Sequence, residues 1–364
     1  MIVVGGGLVG VACAWWLQRR GHQVLLLDAA EGDGGSVAAL GVLMAHVFHR
    51  SSGRAWRLRQ QSLALWRAWR QELESRGRPI AWRGGLLLVA ANGAEAERQR
   101  WLQSERSRQG IPLELWPPER IEALAPSLPG PSHGALHSPL DGQLDPRQAM
   151  EALHSDATAS GLASRTERVV ALEPRPTGTG GWRVVLASGM RLEAEWILLC
   201  SGVSSAALLG SLLREGAGDE GPLLEPVLGQ AVELELPGSL AAEGWNWPGA
   251  LGWQGRTLVP RPDLPGGRRF WLGATLEPGR QADPQAFADL RSLGGQGPPW
   301  LQEARELRRW QGLRSRPVGR PAPLLEQVAP GLLLATGHYR NGVLLAPATA
   351  QWAAHQVEGG DSGG

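Results

Sequence analysis

A chain of 364 residues is longer than one hydrophobic core supports, so two domains are expected. A formal net charge of +1, with 43% hydrophobic and 20% charged residues, excludes a disordered or collagen-like chain and one built of basic arms. No apolar run reaches the roughly 18 residues of a membrane span.

The first element is a β-branched strand, Ile2 to Val4, running into Gly5-Gly6-Gly7-Leu8-Val9-Gly10. A helical segment, Val11 to Arg20, stops at Gly21, and a second buried strand, Gln23 to Leu27, ends at Asp28. Strand, Gly-x-Gly-x-x-Gly, helix, strand and acid is the arrangement of a dinucleotide site. Gly5 permits the tight turn, Gly7 lets a pyrophosphate approach the backbone, and Gly10 lets helix pack on strand. The helix N-terminus then offers unpaired N–H groups to the phosphates, and Asp28 is placed to accept from an adenosine ribose. Ala29 and Ala30 follow it, with no Arg for a 2′-phosphate.

The next segment argues about which dinucleotide. Gly32-Asp33-Gly34-Gly35-Ser36-Val37-Ala38-Ala39-Leu40-Gly41 is a small-residue loop, not the strand with which an NAD domain would continue. A helix from about Arg54 to Arg76 carries Ser62, Leu65, Trp66, Trp69 and Leu73 on one face. Gly85 to Val89 reads as a strand, Glu95 to Arg108 as an exposed helix, and Pro and Gly cluster from Pro126 to Pro131. Asp145 to Ser160 is a helix with Asp145 as N-cap and Pro146 at its first position. Val169 to Leu172, Trp182 to Ala187 and Arg191 to Cys200 read as strands, and Val227 to Leu236 opens a second domain. Leu332 to Thr336 leads through Gly337-His338-Tyr339-Arg340-Asn341-Gly342 into a helix, Val343 to Val357, with Pro347 expected to kink it. This second glycine-punctuated strand, loop and helix suits negative charge on a reduced flavin ring, for which an NAD protein has no evident need.

Taken together, these residues resemble the D-amino-acid oxidase superfamily of flavoproteins, and most closely its glycine oxidases. The likeness runs from the glycine loop and Asp28 (where the family more often has Glu) through Ala38 to His46, similar to a second flavin-contacting loop. Val169 stands near the position whose backbone meets the adenine, and Cys200-Ser201-Gly202 matches a small turn beside the cofactor. Leu258-Val259-Pro260-Arg261, Trp271 to Thr275, and Gly337 through Pro347 are the most characteristic segments. The resemblance implies FAD as cofactor. Its binding residues would be Gly5, Gly7, Leu8, Val9, Gly10 and Asp28, then Ser36, Ala39, Gly41, Val42 and Leu43. Val169, Ser201 and Gly202 would follow, and finally Gly337, His338, Tyr339, Arg340, Asn341, Gly342 and Val343.

It also implies an α/β (α+β) fold: a Rossmann-type FAD domain of residues 1–80, 141–225 and 323–357, and an antiparallel-sheet substrate domain of 81–140 and 226–322. Residues 358–364 would form a flexible tail. The implied activity is oxidation of a small amino acid or amine by hydride transfer from Cα to flavin N5, with O2 or another acceptor reoxidising the cofactor. Gly312-Leu313-Arg314 is similar to the family segment that anchors the substrate carboxylate, and a bidentate Arg fixes orientation as well as charge. Arg314 and Arg340 are therefore the candidate catalytic residues. Two departures fall on the substrate side: Ser315-Arg316-Pro317 follows Arg314 where the family has Pro and Gly, and Thr257 stands where glycine oxidases place Tyr.

Other signals carry less. Cys13 and Cys200, each in an apolar run, read as buried thiols of a reducing compartment, and glycines interrupt the N-terminal apolar run too soon for a signal peptide. The chain reads as cytoplasmic, with homo-oligomers left open. All 36 basic residues are Arg, and 17 aromatics are Trp, which fits codon drift in a GC-rich genome better than a Trp-built site. His133 and His137 with Asp141 would stand about 13 Å apart on a strand, too far to chelate one ion, and no metal is expected. His46 is balanced between a packed and a flavin-side histidine, and His338 reads as structural. Residues 50–83 hold nine arginines against Glu72 and Glu74, with tryptophans interleaved. A solvated helix face explains them better than a nucleic-acid surface, although a flavoprotein acting on a modified tRNA base is the rival reading. A flavin-binding protein without turnover is the third.

Overall fold

The computed structural model describes residues 1–32, 34–175, 180–213, 223–241 and 245–359. The strand Ile2–Val4 lies at the centre of a six-stranded sheet, paired in parallel with Leu25–Asp28 on one side and Ile197–Leu199 on the other. Ala163–Thr166 closes one edge; Leu332–Thr336 and the antiparallel Leu324–Ala329 close the other. The inner strands Ile2–Val4, Ile197–Leu199 and Leu332–Thr336 are continuous apolar runs because both faces of the sheet are covered there, whereas the edge strand Ala163–Thr166 is exposed. Alternation at period two divides them. Val3, Leu26, Leu198 and Leu333 pack against the helices Leu8–Arg19, Pro146–Ala159 and Gly342–Val357. Ile2, Val4, Leu27, Ile197 and Leu199 pack against a three-stranded meander of Val169–Pro174, Trp182–Leu186 and Arg191–Ala194.

The segment Arg191 to Cys200, read above as one strand, is two. Arg191–Ala194 alternates exposed Arg191 and Glu193 with half-buried Leu192 and Ala194, the pattern of a one-sided antiparallel strand. Ile197–Leu199 is buried throughout and joins the parallel sheet. The chain changes sheets at Trp196, whose carbonyl accepts from Ile2 N–H, while Ile197 N–H donates to Gly331 O.

The second sheet runs Glu277–Pro278, Leu224–Glu235, Arg269–Gly273, Arg256–Arg261, Ala250–Trp253, Trp82–Val89, Ala135–Leu144 and Val42–Leu43. Arg305–Pro317 pairs along the length of Leu224–Glu235, and Glu114–Trp116 pairs with Ala135–Leu144. Its core is aromatic, with Trp247, Trp253, Phe270 and Trp300 all buried. We propose the division into 1–80, 141–225 and 323–357 against 81–140 and 226–322 as the domain plan. It keeps the six- and three-stranded sheets in one unit; Val42–Leu43 crosses to pair with Gln143 and Gly142 in the other sheet.

Two contacts fix how the sheets meet. Asp145 caps the helix Pro146–Ala159, Oδ1 accepting from the N–H groups of Arg147 and Gln148, while its Oδ2 accepts from Arg261 Nη2 at 2.7 Å. Gly34 forms an isolated bridge to Leu313, so the loop after the second strand rests on the strand Arg305–Pro317.

The helix Arg54–Ser75 buries Arg59, Ser62, Leu63, Trp66, Trp69 and Leu73; Leu63 takes the place expected for Leu65. It packs against Gly342–Val357, which continues through Pro347. Proline has no N–H to give Val343 O four residues back, and Trp66 Nε1 donates to that carbonyl at 2.8 Å. Ser62 Oγ accepts from Ala348 N at 3.1 Å. Glu358, at the start of the expected tail, pairs with Arg20 and His22; residues 360–364 lie outside the described residues.

Candidate active site

The glycine loop is shaped by what side chains would hit. Gly5 has φ 108°, and a Cβ there would lie 2.6 Å from Cys200 O; a Cβ on Gly10 would run into Gly5 O. The helix Leu8–Arg19 can therefore start directly over the strand, with Gly7 as an N-cap that has no side chain to satisfy the first N–H groups. Ser36 Oγ accepts from one of them, Leu8 N, at 3.0 Å. Asp28 Oδ1 accepts from Gly6 N at 3.0 Å, so the carboxylate braces the glycine loop from the end of its strand. Arg147 donates to Val37 O and Trp310 Nε1 to Ala38 O, which hold the loop carrying Ser36 in place.

The second glycine-punctuated loop closes the same space from the other side. Thr336 Oγ1 donates to Gly202 O at 3.0 Å. His338 is buried with Nε2 2.8 Å from Thr349 Oγ1; burial, aided by nearby Arg54, pushes its pKa down to about 3, so the ring is neutral. Tyr339 adopts φ 54° and its N–H donates to Ser315 O at 3.1 Å, suspending the loop from the strand Arg305–Pro317. The following helix, Gly342–Val357, starts at Asn341 without a side-chain cap. Its first residues face a cavity of about 520 Å³.

Of the residues expected to hold the cofactor, Gly7, Val9, Ser36, Ala39, Gly41, Val42 and Gly202 line this cavity, together with His338, Tyr339, Arg340, Asn341, Gly342 and Val343. Asp28 instead lines a second cleft beside Gly6, Arg147, His154 and Thr166. Gly5, Leu8 and Gly10 shape the loop from behind. Leu43 and Val169 are buried in the cores on either side of the sheet, and Ser201 Oγ is within 3.0 Å of Ser205 Oγ.

Arg314 reaches the cavity from the strand Arg305–Pro317. Its Nη1 donates to Thr275 O at 3.0 Å and Leu228 O at 3.3 Å. The guanidinium lies over Gly229, where any Cβ would occupy its place. Burial, and then Arg340 beside it, pulls its pKa below the ordinary arginine value. Among the described residues no carboxylate pairs with it. Thr257, in the position read as a departure from Tyr, also lines the cavity.

His46 resolves to the packed alternative. Its Nδ1 is 3.1 Å from Asp141 Oδ1, and Asp141, fully buried, also accepts the N–H groups of Ala45, His46 and Val47. His137 is engaged by Glu114 and Trp116. Of the nine arginines in 50–83, seven make at least one guanidinium contact to the chain itself. Arg54, Arg59, Arg67 and Arg83 donate to carbonyls; Arg70, Arg76 and Arg78 pair with Glu74, Glu72 or Asp156. Phe48, His49 and Arg59 are among the cavity residues that were not anticipated from the sequence. The signal for Arg59 was present. It lies three residues before Ser62 on the buried stripe of its helix, an unusual place for a charge.

A glycine-cradled helix N-terminus, a second loop-borne helix N-terminus and a cavity between them define a dinucleotide-binding redox enzyme, and the cradle fits FAD. The chain matches the FAD dependent oxidoreductase family over residues 1–356 and belongs to it; it is an FAD-dependent oxidoreductase of the amino-acid and amine class. It is 30% identical over 377 residues to a glycine oxidase of Geobacillus kaustophilus (strain HTA426), covering 98% of this chain and 92% of that one. It is 26% identical to a glycine oxidase of Bacillus licheniformis at the same coverages. The crystal structure of glycine oxidase from Geobacillus kaustophilus superposes with a TM-score of 0.85 at 27% identity, covering 100% of this chain and 95% of that one. Among the described residues, no helix is long and apolar enough to cross a membrane.

Proposed function

We propose that this enzyme oxidises a small α-amino acid or carboxylated amine, with Arg314 holding the carboxylate. The observation that carries this reading is the state of Arg314: half-buried at the cavity wall, fixed by two backbone carbonyls, and without a carboxylate of its own among the described residues. A desolvated cation without a counter-charge is costly, and a substrate carboxylate would relieve that cost by accepting from the guanidinium N–H groups that the two carbonyls leave free.

When bound, FAD supplies the two-electron acceptor for the substrate Cα–H bond. The chain's contribution is to bind and orient. Gly7 and Ser36 would meet the pyrophosphate at the N-terminus of Leu8–Arg19, and Asp28 would meet the ribose with the carboxylate oxygen not given to Gly6. The N-terminus of Gly342–Val357, with Tyr339 and Arg340, would face the ring system and favour negative charge there. Arg314 would hold the substrate in a reactive pose, which is where positioning enzymes gain most. A substrate amine bound neutral requires no side chain as base. Turnover ends with transfer to an electron acceptor, oxygen or another, and hydrolysis of the imine in water. Thr257 leaves more room than Tyr would, which favours substrates with an N-substituent or short side chain over glycine alone.

Arg314→Leu should raise KM for carboxylated substrates at least tenfold, about 1.4 kcal/mol of lost binding, with little effect on amines lacking a carboxylate. Steady-state kinetics on matched pairs of amines checks this, and unchanged KM values would remove Arg314 from the site.

A further inference from the structure

Arg59 stands apart from the site described above, on the helix Arg54–Ser75, yet lines the same cavity. Its side chain is 8% exposed and its guanidinium stacks over the Phe48 ring at 4.0 Å. Nη1 donates to Met44 O at 3.1 Å, and Nε is buried with no partner. The acid that bears on it, Asp141, is already committed to three backbone N–H groups and to His46. Burial pushes the pKa of Arg59 down to about 10, so it still carries its charge at neutral pH. Arg59 reaches the cavity from the helix Arg54–Ser75 and Arg314 from the strand Arg305–Pro317, so two different elements each bring one guanidinium group to it. Two guanidinium groups on one cavity, Arg59 buried and Arg314 half-buried, each without a carboxylate partner among the described residues, favour two anionic groups there.

We propose that Arg59 is a second anion-binding residue of this cavity, and that the substrate is an amine bearing two anionic groups, one held by Arg314 and the other by Arg59. This rests on the reading of Arg314 given above. Phe48 would supply the flat surface that keeps the Arg59 fork directed at the second anion.

The test is calorimetric titration of the FAD-loaded enzyme with unreactive acids: glutarate and adipate as dicarboxylates, butyrate as a monocarboxylate. The wild type should bind at least one dicarboxylate at least tenfold more tightly than butyrate. Arg59→Gln should erase that preference while leaving butyrate affinity within twofold, and Arg59→Lys should retain part of it. No dicarboxylate preference in the wild type overturns the proposal, a result that needs no variant to fold. So does a preference that persists in Arg59→Gln. Arg314→Leu separates the two readings: if it leaves butyrate and dicarboxylate binding unchanged, the assignment of Arg314 fails. Loss of the dicarboxylate preference in Arg59→Gln alone would then still place an anion at Arg59.

Discussion

His338 shows how a residue beside the cofactor loop couples the site to stability. In the folded chain the imidazole is enclosed against Thr349 and titrates near 3, whereas an unfolded histidine titrates near 6.5. Above pH 6.5 neither state takes the proton. As the pH falls, the unfolded chain binds it and the folded chain does not, so this contribution to stability is lost progressively between about 6.5 and 3. From pH 7 to pH 5 the loss from this one group is about 2 kcal/mol. His338→Gln should remove that component, so chemical denaturation of the variant should show a shallower decline over the same interval; an identical decline would show that His338 does not remain neutral. The glycines were readable from their pattern, whereas Arg314 stood out only through the resemblance of its segment to a known family. Asp141 was not readable as a brace, since its partners are distant along the chain: it serves residues 45–47, about 95 positions earlier.

At the scale of elements, the last helix runs through Pro347 as expected, and the neighbouring helix shows how it can. Trp66 and Ser62, four residues apart and hence on one face, satisfy the carbonyl of Val343 and the N–H of Ala348 around the proline. Trp66→Phe keeps an aromatic ring but leaves a buried carbonyl unpaired, a change of about 1–3 kcal/mol. A fall of several degrees in the thermal midpoint of the holoenzyme should follow, and an unchanged midpoint would show that the carbonyl finds another donor. Contacts to other elements engage several of the arginines that composition suggested as a nucleic-acid surface. Arg67, Arg76 and Arg78 tie their segment to Leu140 and Asp156 instead. Helix periodicity placed this element correctly and could not reveal those partners, which come from other parts of the chain. The split of residues 191–200 between two sheets has a similar origin: propensity favours strand throughout, and only the exposure pattern separates the alternating half from the buried half.

Across the whole molecule, the six-stranded sheet was legible from its two ends, because strand, glycine loop and helix recur near residues 1–28 and 332–357. The second sheet was legible only as scattered strands. Its pairings join residues as far apart as Leu86 and Ala250, and nothing local encodes such a register. The near-neutral charge proves uninformative for the same reason, since the cations on which the proposals rest, Arg314 and Arg59, are single cavity-lining side chains within an arginine-rich total. The central claim, that the cavity between the two glycine-punctuated loops oxidises a carboxylated amine, is tested most directly by anaerobic titration of the FAD-loaded enzyme with α-amino acids and N-substituted glycines, followed by flavin absorbance. The account predicts that at least one carboxylated amine bleaches the flavin of the wild type and that Arg314→Leu requires at least tenfold more of it. Flavin that stays fully oxidised with every such amine would contradict it and leave a flavin-binding protein without amine oxidation.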